Sequence, residues 1–452
     1  MSTMGSLLKL LVPNSRHGLA RWYLLSACYF GLRAFASAAA DSPSRASSNT
    51  KCTTVQVQIV HRHGDRSPIT PLLDEEYWKS QLVPPIQLAK IAENTVIQRQ
   101  QGSTGYQHAA GGRGCFGKLS ELGLFQMIKV GLDLRKELVD GEGDLIFTPI
   151  FTAQSNNPLS KDTLRIVSTD FPRTIQSVQG LLLGLMDEDI IEGTIPIDVR
   201  HSSIMIPDPQ PRATKEQEQL EAFMVNRPHV LRREAEKFDL ALRATKALHP
   251  LLAPDAREAD FGVVQEHPEN MSIETQPLAW NQLAELSKCL TVRDRLPPGL
   301  SPRDVEEIGQ HTAWRWFETL SHPRLIHLAM NAWTSRQVGY MKDYENQPPL
   351  TIWSCHDSSL IGMICAYRLE RPHTWPEYAS VLLMEVVKVQ AEDTANGTPS
   401  PVQLMVRFSL NGERLRIQWD KDQEPLDMIS LSELDEKIRT VGAESSPKDF
   451  QL

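Results

Sequence analysis

Residues 54–68 read TVQVQIVHRHGDRSP, and this stretch decides the fold. Its first seven residues alternate between two faces, with Val55, Val57 and Ile59 set against Gln56, Gln58 and Val60. That alternation predicts a β-strand. The strand then gives way to two histidines, two arginines, a glycine, an aspartate and a proline. Such a concentration of nitrogen at the end of a strand marks it as a candidate functional site.

The same transition from strand to polar segment to helix occurs twice more. Thr163–Ser168 (TLRIVS) leads through TDFPRT into a helical pattern that reaches Leu185, and Leu350–Trp353 (LTIW) leads through SCHDSS into the apolar run Leu360–Ala366. In open α/β sheets, ligands bind beyond the carboxyl ends of the strands. If the three strands are neighbours, six side chains converge on one site: Arg62, His63, Arg66, Arg173, His356 and Asp357.

The helices that follow the second and third strands carry further information. Thr169 or Asp170 is the predicted N-cap of the second helix, and Asp357 or Ser358 that of the third. Arg173 falls in the first turn of its helix, where a cation opposes the helix dipole. An anion bound between Arg173 and the helix start would resolve that conflict.

The rest of the chain predicts one sheet domain with an insertion. Strands are predicted at Val381–Gln390 and Leu404–Ser409, and helices at Gly117–Val139, 214–248 and 301–333. We therefore expect an α/β fold, a mixed central sheet flanked by helices. Residues 50–187 plus 346–440 form the predicted catalytic core, residues 188–345 a mainly helical cap insertion, and residues 441–452 a C-terminal tail.

Residues 1–40 are predicted to be a targeting segment rather than part of the fold. The apolar run Trp22–Leu32 follows basic residues and precedes small residues at Ala36–Ala40, a pattern typical of a secretory signal peptide. Asn270 and Asn396 lie in glycosylation sequons, which favour the same route. We expect a glycoprotein that is secreted or lies in the endomembrane lumen, without a stable membrane span after leader removal. A mitochondrial presequence or an uncleaved signal anchor is the alternative.

Composition narrows the function classes. The chain has 452 residues, a 41% hydrophobic content and a net charge of −9, which argue for a globular protein and against nucleic acid as a partner. The six cysteines include no CxxC spacing of the kind that binds zinc. Without Cys28 of the leader, five cysteines remain, enough for at most two internal disulfides.

Three arginines beside one histidine predict a site for phosphate. Guanidinium groups match phosphate oxygens in pairs and keep their charge at any working pH. A histidine among them, His63, can be the nucleophile and form a phosphohistidine intermediate. Asp357 can then supply the proton that the departing alcohol needs, which favours acidic conditions.

Four segments resemble one family, the histidine acid phosphatases. Arg62–Pro68 (RHGDRSP) is similar to the family's RHGxRxP signature, and His356-Asp357 to its distal HD pair. The segment 168–174 (STDFPRT) resembles the one that carries a third phosphate-binding arginine. Trp375–Ser380 (WPEYAS), with Glu385 after it, resembles a WPPYAS-like strand of the family.

This resemblance implies a role for each site residue. It makes His63 the nucleophile and Asp357 the proton donor, and it adds four substrate-binding residues: Arg62, Arg66, Arg173 and His356. The implied fold is phosphoglycerate mutase-like, an α/β core with a helical cap, and the implied activity is that of an acid phosphatase, a phosphoric monoester hydrolase. The family uses no metal or other cofactor, and its implied substrate is a small phosphate monoester.

Within the family, Trp78–Val83 and Gly111–Gln126 look most like the lysophosphatidic acid phosphatases, which are mitochondrial in animals. A lysophospholipid is therefore an expected substrate. The RHGARYP of the phytases is not matched at Asp65 and Ser67, which argues against that branch.

Two other functions stay open. His61 and His63 form an HxH after a strand, which also occurs in metal-dependent hydrolases, although three arginines would repel a metal. The chain could also be a non-catalytic relative that binds phosphorylated ligands. His61 itself is expected to be structural. Three tryptophans are expected to serve packing, with a groove for a lipid chain as the alternative: Trp314, Trp316 and Trp333.

Overall fold

The structure is a computed structural model, and it describes residues 50–99, 112–140, 151, 159–186, 194–208, 212–258, 276–391, 402–419 and 422–442. The predicted leader, both sequons and most of the predicted C-terminal tail lie outside the described residues. The described residues from 51 to 390 and from 402 to 442 belong to one compact unit.

The described chain alternates strands and helices. The strands are β1 (Thr50–Arg62), β2 (Thr95–Arg99), β3 (Leu164–Thr169), β4 (Ile195–Arg200), β5 (Leu350–Cys355), β6 (Val381–Ala391), β7 (Gln403–Leu410), β8 (Glu413–Leu415) and β9 (Ile429–Ser430). The helices are α1 (Glu75–Ser80), α2 (Pro85–Ala92), α3 (Glu121–Arg135), α4 (Pro172–Leu185), α5 (Lys215–Val225), α6 (Pro228–Leu248), α7 (Pro254–Glu258), α8 (Trp280–Thr291), α9 (Pro302–Thr319), α10 (Pro323–Lys342), α11 (Asp357–Ala366) and α12 (Leu431–Thr440).

One mixed sheet holds all the described strands, in the order β2-β4-β3-β5-β1-β6-β7-β8, with β9 on β7. The strands from β2 to β1 along this order are parallel, and β7 pairs antiparallel with β6, β8 and β9. This is the α/β architecture that the sequence predicts. The three strands of the candidate site, β3, β5 and β1, are adjacent, so their carboxyl ends meet at one edge of the sheet.

Both faces of β1 are buried, although its sequence alternates. Val57 and Ile59 belong to one apolar cluster, and Val60 belongs to another cluster. Gln56 and Gln58 are fully buried as well, and their amides donate to the carbonyls of Tyr340 (3.1 Å) and Gln337 (2.9 Å) on α10. These two polar side chains are tolerated in the core because each donates a hydrogen bond to a helix carbonyl.

Prolines divide the long predicted helical stretches. Residues 214–248 form α5 and α6, which separate before Pro228, and the stretch 301–333 separates into α9 and α10 before Pro323. Proline favours the first turn of a helix, where its missing N–H is not needed. β4 lies inside the range predicted as the helical cap and pairs with β2 and β3. The domain boundaries themselves stay a prediction.

The predicted N-caps are wrong at both site helices. Phe171 occupies the N-cap of α4, and His356 that of α11. The carboxylates are engaged elsewhere: Asp170 accepts from the backbone N–H of Ser202 (3.1 Å), and Asp357 pairs with Arg62. The described cysteines all carry free thiols, and no described helix has the length and apolarity needed to cross a membrane.

Candidate active site

The six predicted site residues come together at the carboxyl ends of β1, β3 and β5. Arg62 ends β1, Arg173 lies in the first turn of α4, and His356-Asp357 joins β5 to α11. The loop after β1 turns sharply here because Gly64 lies against the backbone of Gly123, where a Cβ would come within 2.2 Å of the carbonyl oxygen. We call the group formed by Arg62, His63, Arg66, Arg173, His356 and Asp357 the phosphate pocket, after the phosphate site that the sequence predicts.

His63 is held in a single tautomer. It is 2% exposed, and its Nδ1 lies 2.8 Å from the carbonyl oxygen of Gly64, which can only accept. Nδ1 therefore carries the proton, and Nε2 keeps its lone pair. Burial, and then the positive charges of Arg173 and Arg62, lower the pKa of His63 well below its usual value. Burial and the arginine charges therefore favour the neutral imidazole, whose Nε2 can act as a nucleophile.

Three buried arginines surround this histidine: Arg62, Arg66 and Arg173, each at most 5% exposed. Arg62 lies over the ring of Tyr378 (4.0 Å) and Arg173 over the ring of Phe171 (4.2 Å), so aromatic faces hold both guanidinium planes. Burial and the charge of Arg66 lower the pKa of Arg173 to about 9, which leaves it cationic at acidic and neutral pH.

His356 is the second histidine of the phosphate pocket. Its ring centroid lies 5.6 Å from that of His63 and 4.7 Å from that of Phe171. Its Nε2 lies 3.0 Å from the hydroxyl of Thr169, at the end of β3. Burial and the charge of Arg173 lower the pKa of His356 well below its usual value, so it is neutral in the free pocket.

Asp357 stands at the start of α11 with both oxygens engaged. Its Oδ2 accepts from Arg62 (2.7 Å) and from the indole Nε1 of Trp375 (3.0 Å), and its Oδ1 accepts from the N–H of Ser358 (2.8 Å). Burial raises the pKa of Asp357, but the charge of Arg62 and the bond from Trp375 outweigh it and lower the pKa to about 2. Asp357 is therefore ionised in the free pocket.

Several residues around the pocket were not predicted from the sequence. Glu285 on α8 pairs with Arg66 (2.9 Å), and Arg293 pairs with Asp65 (2.6 Å). Asp208 is partly buried; burial and the negative charge of Asp357 raise its pKa to about 7, against the opposing charge of Arg212. No local sequence pattern marks these three residues. Trp375 and Tyr378 lie in the WPEYAS segment, but the resemblance assigns them no role.

His61 behaves as a structural residue, as expected. It is fully buried, its Nδ1 bonds the carbonyl of Arg62 (3.0 Å), and burial lowers its pKa to about 4, which the bond to Arg62 opposes. Over the described ranges, no group of three or more His, Cys, Asp and Glu side chains is placed to hold a metal ion. That the protein uses no metal or other cofactor stays a prediction.

The three tryptophans separate into different roles. Trp333 is 1% exposed and packs on Trp353 in the core (5.7 Å), and Trp314 stacks on His311 (5.7 Å). Trp316 alone approaches the pocket, because it packs edge to face on Trp375 (5.8 Å), whose indole bonds Asp357. The side of the pocket next to Asp357 is therefore aromatic.

The chain is similar in sequence to known phosphatases. Residues 54–241 match the family model of the histidine phosphatase superfamily, branch 2. Lysophosphatidic acid phosphatase type 6 of Bos taurus is 28% identical over 73% of this chain and 73% of its own length. Counting factor 60 of Dictyostelium discoideum is 24% identical over 85% of this chain and 86% of its own length.

A solved structure gives the same fold. The phytase of Hafnia alvei, in complex with myo-inositol hexakis sulphate, is 13% identical, with a TM-score of 0.52 over 88% of this chain and 98% of that chain. At this identity the likeness concerns the fold alone, and it confirms the predicted α/β class. Residues 54–241, which include the RHGDRSP stretch, are thus similar to the histidine phosphatase superfamily (branch 2), as the sequence predicts.

Proposed function

We propose that this protein is an acid phosphatase that hydrolyses phosphate monoesters through a phosphohistidine intermediate on His63. One observation carries the proposal: a neutral imidazole with its Nδ1 fixed on Gly64 lies among three buried guanidinium groups. Cations around a nucleophile match the charge of a transferring phosphoryl group, for which catalysis is mainly positioning and charge stabilisation.

The first step transfers the phosphoryl group to the enzyme. Arg62, Arg66 and Arg173 bind the non-bridging oxygens, with His356 as a further ligand, and Nε2 of His63 attacks phosphorus as the bond to the alcohol oxygen breaks. The bound phosphate competes for Arg62, and its negative charge raises the pKa of Asp357, which is about 2 in the free pocket. The protonated carboxyl then gives its proton to the departing alcohol.

The second step returns the enzyme to its starting state. Asp357, now ionised, accepts a proton from a water molecule, and the oxygen of that water attacks the phosphohistidine. Inorganic phosphate leaves, the neutral imidazole is restored, and Asp357 releases its proton to solvent, so that it is again ionised in the free pocket. Burial and the arginine charges lower the pKa of His63, so they favour the unprotonated nucleophile under the acidic conditions that favour protonation of Asp357.

A lysophospholipid, lysophosphatidic acid, is the proposed substrate class. The name of the bovine relative supports it, and so does the aromatic side of the pocket, where Trp316 and Trp375 lie beside the proton donor and hence beside the leaving group. The secreted or lumenal location, with the mitochondrial alternative, remains part of the proposal.

Turnover of an aryl phosphate at pH 5 by the purified protein tests the activity, and a panel of lysophosphatidic acid, glycerol phosphate and inositol phosphates tests the substrate. We expect hydrolysis that chelators do not affect, with lysophosphatidic acid preferred. Binding of phosphate without turnover would identify a non-catalytic relative instead. Activity that a chelator abolishes would support the metal-dependent alternative.

A further inference from the structure

One face of α8 holds the loop that carries Arg66. Glu285, Cys289 and Arg293 follow each other at intervals of four residues, so they lie on one side of the helix and its extension beyond Thr291. The thiol of Cys289 lies 3.7 Å from the carbonyl oxygen of Arg66 and 3.6 Å from the hydroxyl of Tyr378. We call these three residues the α8 face.

At one end of this face, Arg293 and Asp65 form a buried forked ion pair. Nη2 lies 2.6 Å from Oδ2 and Nη1 3.4 Å from Oδ1, with side chains 6% and 0% exposed. The hydroxyl of Ser120 also donates to Oδ2 of Asp65 (2.5 Å). The negative charge of Asp65 is therefore balanced by Arg293, and this ion pair holds the α8 face against the loop.

At the other end, Glu285 sits behind Arg66. Its carboxylate accepts from Arg66 Nη1 (2.9 Å), from the backbone N–H of Ile69 and from the hydroxyl of Thr70 (3.2 Å). The side chain of Glu285 is only 11% exposed. It therefore places a poorly screened negative charge directly on one of the three arginines of the phosphate pocket.

The negative charge of Glu285 affects how strongly the phosphate pocket attracts an anion. Arg62 pairs with Asp357, which gives up its negative charge when it acts as proton donor, whereas Glu285 pairs with Arg66 and takes no part in the proton transfer. A buried negative charge on Arg66 weakens the attraction of that arginine for an anion. The arginines bind the oxygens of inorganic phosphate as they bind those of the substrate. A pocket without the charge of Glu285 would therefore bind the product more tightly and release it more slowly.

We propose that Glu285, held in place by the α8 face, is a positioning residue that lowers the phosphate affinity of Arg66 and so permits release of inorganic phosphate. The inference rests on the proposed function for its purpose. The effect itself, weaker phosphate binding caused by the charge of Glu285, can be measured without turnover.

Glu285→Gln tests it, because glutamine has the same shape and can still accept from Arg66 and Ile69 while it removes only the charge. Inorganic phosphate binding to the full-length protein is measured by calorimetry at pH 5, together with phosphate inhibition of aryl phosphate hydrolysis. We expect Glu285→Gln to bind phosphate about tenfold more tightly than the native protein. Unchanged or weaker binding by this variant, folded by circular dichroism, would overturn the proposal.

Two further variants separate charge from structure. Glu285→Asp keeps the charge and should show no tightening, whereas tightening as large as that of glutamine would reject a charge effect. Glu307→Gln makes the same substitution in an ion pair on the outer surface, with Lys237 (2.6 Å), and should leave phosphate binding unchanged. Because calorimetry needs no catalysis, an inactive protein that still shows the tightening would reject the proposed function and keep this inference.

Discussion

The phosphate pocket and the α8 face lie on two sides of one loop and arrange buried charge differently. On the α8 face, Asp65 meets Arg293 and the hydroxyl of Ser120 at hydrogen-bonding distance, so its charge is balanced. In the pocket, three arginines and two neutral histidines share one ionised carboxylate on their own side, Asp357. Burial is similar on both sides; the balance of charge differs.

This difference separates a structural ion pair from a binding site. A balanced buried pair leaves nothing for a ligand to neutralise, and breaking it exposes an uncompensated charge. An excess of buried cations destabilises the folded protein unless an anion binds beside them. A site with this excess of positive charge therefore favours the binding of phosphate. Mutation of the Asp65–Arg293 pair should therefore act on stability, and mutation of the pocket residues should act on activity.

The largest effect is expected for Asp357→Asn. The asparagine cannot donate a proton as an acid, so hydrolysis of an alkyl phosphate such as glycerol phosphate should fall about 10²–10⁴-fold. An aryl phosphate, whose leaving group needs little protonation, should lose less than about tenfold. Steady-state kinetics on both substrates measure this. Asp239→Asn on the exposed surface of α6 is the control, and equal losses for the two substrates would reject the proton donor.

Arg293→Met should act on stability. It leaves Asp65 buried without its counter-charge and should lower the free energy of unfolding by about 3–5 kcal/mol, measured by urea denaturation. The double variant Asp65→Ala/Arg293→Met removes both charges and should recover most of that loss. Arg295→Met breaks an exposed pair with Asp74 and should cost less than about 1 kcal/mol. A double variant as unstable as the single one would contradict the balanced-pair interpretation.

Arg173→Lys should act on activity. Lysine keeps the charge but loses the fork that binds two phosphate oxygens, so kcat/KM should fall about 10²-fold with little change in stability. Arg165→Lys is the matched control, since that arginine lies on β3 over the ring of Tyr340 (4.2 Å), away from the pocket. Equal losses of kcat/KM in both variants would remove Arg173 from the phosphate site.

The smallest effect is expected for Trp375→Phe. Loss of the indole N–H removes one of the bonds that lower the pKa of Asp357, so this pKa should rise. Because the acid form of Asp357 is the active one in the complex, the fall of kcat at high pH should shift to higher pH. The rate at the optimum should change by less than about tenfold. Trp419→Phe is the control, and an unshifted profile would limit Trp375 to packing.

The sequence predicted the pocket because its residues follow three strand ends in contiguous segments. Parallel strands place their carboxyl ends at one edge, so Arg62, His63, Arg173, His356 and Asp357 could be assembled once the strands were assumed to be neighbours. The order β3-β5-β1 shows that this assumption is correct. Their catalytic roles stay predictions that the experiments above test.

The α8 face could not be predicted in the same way. Glu285 lies 219 positions from Arg66, and the helix around it reads as an ordinary amphipathic helix. Which of its faces meets the loop depends on tertiary packing. The N-cap predictions were wrong for a related reason. Asp170 and Asp357 are residue types that often cap helices, but here their carboxylates bind distant partners, the N–H of Ser202 and the guanidinium of Arg62.

Isolation of the phosphorylated enzyme tests the role of His63 most directly. The protein is mixed with ³²P-labelled substrate at pH 5, quenched within milliseconds and digested under alkaline conditions, which preserve phosphohistidine. We predict an acid-labile label on His63, and its loss together with turnover in His63→Ala. Label on a different residue, or turnover retained by folded His63→Ala, would contradict nucleophilic catalysis by His63.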